Sequence, residues 1–273
     1  MKKIFASLLA AIMLTVSALS YAAVATTKPN PETPKTPVDA KQTALLHASL
    51  HNARPKIPLG DVRAAAIPGL FEVDVAGSDT LYMSADGKYL ISGTMFRIDG
   101  DKLVNIDEER LRPLRAAKLA AVKNEDMVIF SPSGKPKAHI YVFTDVDCGY
   151  CHKLQGEVAQ LNAMGIEVRY LAFPRAGVPS SSAEKMSTIW CASDRKATFA
   201  KVIDGESVPD KTCKNNPIAA QYKLGSELDV NGTPAMFKAD GTLFPGYMPA
   251  AKIAEELGVS TAAAPALLSA PAQ

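Results

Sequence analysis

The chain has few cysteines and few long apolar stretches, and both shortages restrict what it can be. Four cysteines occur in 273 residues, and none of them precedes position 148. A lipid-modified cysteine near the amino terminus is therefore not expected. After residue 22, no apolar run is long enough to suggest a membrane-spanning helix. We therefore expect the mature chain to be soluble.

An excess of charge of either sign is also missing. The chain has 30 basic and 28 acidic residues, and no long basic block or acidic tail. This balance argues against nucleic acid as a partner. A chain of this length has enough residues for two modest domains, each with its own core.

Residues 1–22 have the composition of a signal peptide. A short basic start is followed by an apolar run from Ile4 to Leu19, and the segment ends in Ser20-Tyr21-Ala22. The small-x-small ending is typical of a signal peptidase site. An uncleaved anchor is the alternative, but the run is near the lower limit for spanning a bilayer. We expect cleavage after about Ala22 and an oxidising compartment, where structural disulfides persist.

Two cysteines form a C-x-x-C pair between a strand-like run and a segment with helical spacing. Cys148 and Cys151 follow the apolar residues Ile140–Thr144. If the pair opens a helix, unpaired N–H groups and the helix dipole favour the reactive thiolate. The alternative is half of a zinc site, but Cys191 and Cys213 lie 40 and 62 positions beyond Cys151 and form no second pair of this kind. The spacing therefore predicts a thioredoxin-like redox site and no metal.

Composition and periodicity divide the mature chain into five parts. A tether at 23–40 contains four prolines and is expected to be disordered, and a tail at 260–273 is expected to be flexible. Residues 41–106 read as a small α+β unit, 107–123 as a linker helix, and 124–259 as a second unit built around a βαβ pattern.

The first unit is predicted to be an antiparallel meander preceded by a helical turn near Ala44–Leu50. Its strands are expected at Leu70–Val75, Thr80–Ser84, Tyr89–Ile98 and Lys102–Ile106. In the linker helix, Pro113 should cause a kink or mark the true start, since proline inside a helix costs about 3 kcal/mol.

The second unit is predicted to alternate strands with helices. The expected order is a strand at His139–Thr144, the helix after the cysteine pair, a strand at Ile166–Phe173, a helical stretch at 180–226, strands at Ala235–Lys238 and Thr242–Phe244, and a helix at Ala250–Leu257.

Several motifs of this unit, in order, resemble the DsbC family of periplasmic disulfide isomerases. They are Cys148-Gly149-Tyr150-Cys151-His152-Lys153-Leu154, Tyr170-Leu171-Ala172-Phe173-Pro174-Arg175, Ile189-Trp190-Cys191-Ala192, Gly232-Thr233-Pro234-Ala235 and Gly241-Thr242-Leu243-Phe244-Pro245-Gly246-Tyr247. The resemblance is strong after residue 139 and weak before 107. It implies a cystatin-like dimerisation domain at 41–106, a linker helix, and a thioredoxin-like catalytic domain with a helical insertion at 124–259.

The resemblance also implies roles for single residues. Cys148, at the exposed start of the helix, would attack substrate disulfides, and Cys151 would resolve the mixed disulfide. Gly149 and Tyr150 would tune their redox properties. The resemblance further implies a cis Thr233-Pro234 bond facing the pair, with the Thr233 backbone free to bind substrate.

Cys191 and Cys213 are expected to form a structural disulfide, and a second redox pair is the alternative. Asp147 departs from the family pattern, because a carboxylate directly before Cys148 opposes thiolate formation.

The expected function is the rearrangement of incorrect disulfides in exported proteins by a periplasmic homodimer that also acts as a chaperone. The resemblance implies a membrane thiol reductase as electron donor, and no cofactor is expected. The alternatives are a DsbG-like redox chaperone that protects single cysteines as a reductase, or a dithiol oxidase.

Overall fold

The computed structural model describes residues 38–75 and 80–260. The predicted signal peptide, the tether up to residue 37 and the tail after residue 260 lie outside the described residues. The first unit contains α1 (Ala40–Ala53), β1 (Leu59–Ala64), β2 (Leu70–Val75), β3 (Leu81–Ser84), β4 (Leu90–Ser92), β5 (Phe96–Asp99) and β6 (Lys102–Asn105).

The first unit is a helix packed on an antiparallel sheet. The strand order is β1-β2-β3-β4, and β5 and β6 form a separate hairpin. Helix α1 begins after Asp39, whose carboxylate accepts a hydrogen bond from the Gln42 N–H at 2.7 Å. Leu46 and Leu50 of α1 are buried against the apolar side chains of β2 and β3.

The strands of this unit differ from the prediction at two places, one of them a strand that was missed. Strand β1 was not predicted, because its sequence Leu-Gly-Asp-Val-Arg-Ala shows no clear alternation. The single strand expected at Tyr89–Ile98 is divided into β4 and β5, and these pair with different partners. Gly93 lies at the break with a φ of 151°, which glycine adopts without strain.

The linker helix, α2 (Ile106–Ala120), begins before Pro113 and continues through it. Asn105 caps the helix by accepting a hydrogen bond from the Glu108 N–H at 3.1 Å. The expectation that the helix starts near Pro113 is therefore wrong. Contacts of the last two turns with the second unit, including the fully buried Leu119, offset the hydrogen bond that proline cannot donate.

The second unit is a four-stranded sheet with helices on both faces. Its elements after a short 3₁₀ turn (Asn124–Asp126) are β7 (Val128–Phe130), β8 (Ala138–Thr144), α3 (Gly149–Met164), β9 (Ile166–Ala172), α4 (Ser181–Trp190), α5 (Arg195–Ile203), α6 (Ile218–Glu227), β10 (Ala235–Lys238) and α7 (Ala250–Glu256). The strand order is β10-β8-β9-β7, with β8 and β9 parallel. Apolar clusters fill both faces.

The structure differs from the predicted order at two places. Thr242–Phe244 is not a strand, because only Leu243 makes a bridge, to Phe237, before the chain turns away at Pro245. Strand β7 was not predicted, since its three residues are too few to show a period.

A disulfide joins Cys191 at the end of α4 to Cys213 in the segment before α6. Closing a loop of this length stabilises the fold by about 3 kcal/mol in the chain-entropy model. Over residues 38–75 and 80–260, no helix combines the length and the apolar character that crossing a membrane requires.

Candidate active site

The two free cysteines lie where β8 leads into α3. Cys148 is the N-cap residue, and its carbonyl accepts hydrogen bonds from the Cys151 N–H at 2.9 Å and the His152 N–H at 3.1 Å. The side chain of Cys148 therefore sits beside the unpaired N–H groups of the first helical turn. This end of α3 is at the carboxyl edge of the parallel strands β8 and β9, where ligand sites of open α/β sheets usually form.

Cys148 is 4% exposed, so the expectation of an exposed nucleophile is wrong. The loop before β10 contacts its sulfur: the thiol donates a hydrogen bond to the main-chain oxygen of Thr233 at 3.2 Å. The Thr233-Pro234 peptide bond is cis. The hydrogen bond to the Thr233 oxygen requires the thiol proton, so it is lost when Cys148 becomes a thiolate.

The two thiols differ in acidity. Burial raises the pKa of Cys148, but hydrogen bonds to its sulfur from the Thr233 side chain and from Cys151 and Tyr150 in the first helical turn outweigh burial, so this pKa lies below that of a free thiol. Burial raises the pKa of Cys151 to about 12. Near neutral pH the first thiol is therefore the better source of thiolate.

Three buried hydroxyl groups adjoin the cysteine pair without a conventional hydrogen-bond partner. They belong to Thr144, Thr233 and Tyr170. The hydroxyls of Thr144 and Thr233 lower the pKa of Cys151, though by less than burial raises it. Hydroxyls in this arrangement can donate to a sulfur that becomes negative. These hydroxyl groups are therefore potential hydrogen-bond donors to a thiolate at Cys148 or Cys151.

A shallow cavity of about 730 Å³ begins beside the pair and is lined mainly by apolar groups. Tyr150 is 61% exposed at its edge, with its ring centroid 5.8 Å from that of Tyr247. Thr233 and Pro234 form another part of the wall. A Cβ at Gly149 would meet no atom within 4 Å, so packing does not require glycine there.

Asp145 was missing from the predicted site, although it is buried three residues before Cys148. Its carboxylate accepts hydrogen bonds from Nε of Arg175 at 3.0 Å, from the Arg175 N–H at 2.8 Å, from the Asp147 N–H at 2.9 Å and from the Ser182 hydroxyl. Asp145 and Arg175 follow the adjacent parallel strands β8 and β9. That adjacency is the signal that could have identified them from the sequence.

This network predicts a loss of stability in acid. Burial raises the pKa of Asp145, but its four hydrogen bonds more than reverse this effect, and its folded-state pKa lies below the usual value. The contribution of ionised Asp145 to the free energy of unfolding is therefore complete above about 3.9, the pKa of this group in the unfolded chain. It is lost as the pH falls through the lower pKa that Asp145 has in the folded chain. We expect the free energy of unfolding, measured with urea, to fall below about pH 4. The fall should be shallower in Asp145→Asn, and equal slopes would contradict this role.

The predicted cysteines divide into two sets. The structure brings Cys148, Cys151, Thr233 and Pro234 together, while Cys191 and Cys213 form the disulfide elsewhere in the unit. Within the described part of the chain, no three His, Cys, Asp or Glu side chains are grouped so as to hold a metal ion.

Comparisons with known proteins match both units. Residues 34–108 match the disulfide bond isomerase protein N-terminal domain, and residues 123–259 match a thioredoxin-like domain. The chain is 41% identical to thiol:disulfide interchange protein DsbC of Escherichia coli strain K12 over 205 residues, covering 75% of this chain and 84% of that protein. It is 40% identical to DsbC of Dickeya dadantii over 189 residues, covering 69% and 76%.

Among solved structures, a disulfide interchange protein from Neisseria gonorrhoeae is 28% identical with a TM-score of 0.45, covering 50% of this chain and 96% of that one. The expected fold, an α+β amino-terminal domain followed by a thioredoxin-like domain, is confirmed by the two domain matches.

Proposed function

Because the chain belongs to the DsbC family of thiol:disulfide interchange proteins, we propose that it isomerises disulfides with Cys148 as nucleophile and Cys151 as resolving thiol. The observation that carries the assignment is the placement of the two thiols, because Cys148 is the N-cap residue of α3 whereas Cys151 is buried within the helix. The pKa of Cys148 is lowered at the start of α3, whereas burial raises that of Cys151 to about 12.

Isomerisation transfers no net electrons. The Cys148 thiolate attacks one sulfur of an incorrect disulfide, forms a mixed disulfide, and releases the other substrate sulfur as a thiolate. That thiolate attacks another substrate disulfide, and the last substrate thiolate formed displaces Cys148. Enzyme and substrate then have the same oxidation states as at the start.

A second route reduces the substrate by two electrons. Cys151, once deprotonated, attacks the Cys148 sulfur, closes the enzyme disulfide and releases a substrate thiolate. The oxidised enzyme then needs a dithiol donor before it can isomerise again. A membrane thiol reductase is the donor we propose.

The homodimer is proposed to form through the first unit. Strand β4 lies at the edge of the sheet, and large apolar side chains on β5 and β6 are exposed, with Ile98 at 77% and Leu103 at 70%. Apolar side chains beside an open sheet edge favour pairing with a second copy. Two copies would present two cysteine pairs to one substrate.

The proposed site of action is the periplasm, to which residues 1–22 would direct the chain as a cleaved signal peptide. The cavity beside Thr233, Pro234 and Tyr150 is the proposed substrate-binding surface. Its apolar lining suits unfolded segments, which expose apolar side chains around wrongly paired cysteines.

The decisive test is recovery of native activity from a scrambled multi-disulfide protein by the reduced mature chain without added oxidant. We expect recovery with the intact chain and much less with Ile98→Lys, which places a charge on the proposed dimer surface. Rapid oxidation of a reduced dithiol peptide without recovery would instead indicate an oxidase. If neither reaction occurs but the chain still suppresses aggregation of a cysteine-free client, the result would indicate a chaperone without exchange activity.

A further inference from the structure

A charge pair stands directly before the nucleophile. The carboxylate of Asp147 is adjacent in sequence to Cys148, and its Oδ1 lies 2.7 Å from Nζ of Lys185 on α4. The two side chains are 42% and 52% exposed. An unpaired carboxylate at this position would repel a thiolate at Cys148.

The other nearby cation is engaged elsewhere. Arg175 donates through Nε to the Asp145 carboxylate at 3.0 Å, and through Nη2 to the main-chain oxygen of Asp147 at 2.9 Å. Its ion pair is therefore with the buried carboxylate, while Lys185 pairs with the exposed one. Asp145 and Asp147, the two carboxylates just before Cys148 in sequence, thus each pair with one cation, and removing Lys185 leaves the Asp147 carboxylate without its ion pair.

Helix α4 connects the two pairs. Ser182 donates to Asp145, and Lys185 lies three residues further along the same helix, so both side chains lie on one helical face. Packing of α4 thus sets both contacts at once. The charged or titratable groups near Cys148 are Cys151, Tyr150 and His152 on α3, Asp145 and Asp147 before it, Arg175 after β9, and Lys185 on α4. His152 lines the same small cavity as Asp147 and Lys185, and its Nε2 lies 2.6 Å from the main-chain oxygen of Val146.

We propose that Lys185 is a positioning residue of the exchange reaction, which maintains the reactivity of Cys148 by neutralising Asp147. The proposal rests on the proposed role of Cys148 as nucleophile. It explains how the chain accommodates a carboxylate directly before its cysteine pair.

The test is the rate at which iodoacetamide alkylates Cys148 in the reduced full chain, followed across a pH series by mass spectrometry. Cys151, with its pKa of about 12, does not compete near neutral pH. At pH values below the pKa of the Cys148 thiol, Lys185→Ala should slow alkylation by up to about fivefold, the upper limit set by the strength of an exposed ion pair. The pH profile should move to higher pH. Lys185→Arg, which keeps the charge, should restore the rate.

The carboxylate itself provides the control. In Asp147→Asn, removal of Lys185 should have no further effect, and added salt should reduce the difference between Lys185→Ala and the parent chain. Lys41→Ala, which removes an exposed lysine of α1, should leave the rate unchanged. An unchanged rate in Lys185→Ala, or equal slowing with and without the Asp147 carboxylate, would overturn the proposal.

This test can be distinguished from a failure of the proposed isomerase function. Alkylation requires no substrate, so absence of isomerase activity leaves this test intact. Preferential alkylation of Cys151 would instead remove Cys148 from its proposed role.

Discussion

Replacing Cys148 with serine is expected to abolish all thiol–disulfide exchange, whereas Cys151→Ser is expected to accumulate mixed disulfides with substrate. A serine hydroxyl is not ionised near neutral pH and cannot attack a disulfide sulfur. With Cys148 present and Cys151 absent, attack still occurs, but only the substrate's own thiolates can release the enzyme. Cys148→Ser therefore cannot form the mixed disulfide, whereas Cys151→Ser forms it but cannot release it through the second cysteine.

The measurement is non-reducing electrophoresis after acid quenching, with the same scrambled substrate offered to both variants. Exchange in Cys148→Ser should fall to the uncatalysed background. In Cys151→Ser, a band containing enzyme and substrate should appear and disappear on reduction. The two variants are matched controls, since each removes one sulfur from the same pair. Equal residual activity in both would contradict the assignment.

The acidity of the resolving thiol gives this experiment a kinetic consequence. Because burial raises the pKa of Cys151 to about 12 in the reduced pair, we expect little Cys151 thiolate at neutral pH and slow release of the mixed disulfide through Cys151. A long-lived mixed disulfide gives the substrate thiolates time to find their correct partners. The parent chain should therefore favour isomerisation over net reduction.

The parts of the site that are local in sequence could be predicted from it. The cysteine pair follows a strand and begins a helix, as its spacing and flanking apolar residues indicate. The partners of that pair come from distant segments, and the cis bond before Pro234 was expected only because the motifs resemble a family. The place of Arg175 after β9 could have been inferred from the βαβ pattern, but no pattern identifies Lys185, because its role depends on how α4 packs beside α3.

The linker helix shows why the remaining errors occurred. Local propensity places a break at Pro113, yet α2 continues through it because its distal half packs against the second unit. Lys118 Nζ lies 2.7 Å from Oε2 of Glu227, and the guanidinium carbon of Arg115 lies 6.0 Å from the Phe237 ring centroid. Together with the burial of Leu119, such contacts offset a helix penalty of about 3 kcal/mol, and a single sequence does not show them.

Gly241→Ala is expected to destabilise the chain strongly by separating α2 from the second unit. Gly241 has a φ of 85°, and a Cβ built there would lie 2.0 Å from the main-chain oxygen of Arg112 and 2.7 Å from the amide nitrogen of Ala116. The positive φ alone costs about 1 to 2 kcal/mol for an alanine. Overpacking typically adds about 1 to 3 kcal/mol, and here the obstructing atoms are helix backbone that cannot rotate aside.

Gly258→Ala is the control that separates the cost of the positive φ from the cost of the clash. Gly258 also has a positive φ, 65°, but a Cβ there would meet no atom within 4 Å. Urea unfolding should show a larger loss of stability for Gly241→Ala, and small-angle scattering should show a less compact chain. Alkylation of Cys148 should change little, since the clash is with α2 and not with α3. Equal destabilisation by the two substitutions would mean that the close approach of α2 to Gly241 does not contribute to stability. A larger loss for Gly241→Ala would show that the close approach of Gly241 to Arg112 and Ala116 holds α2 against the second unit.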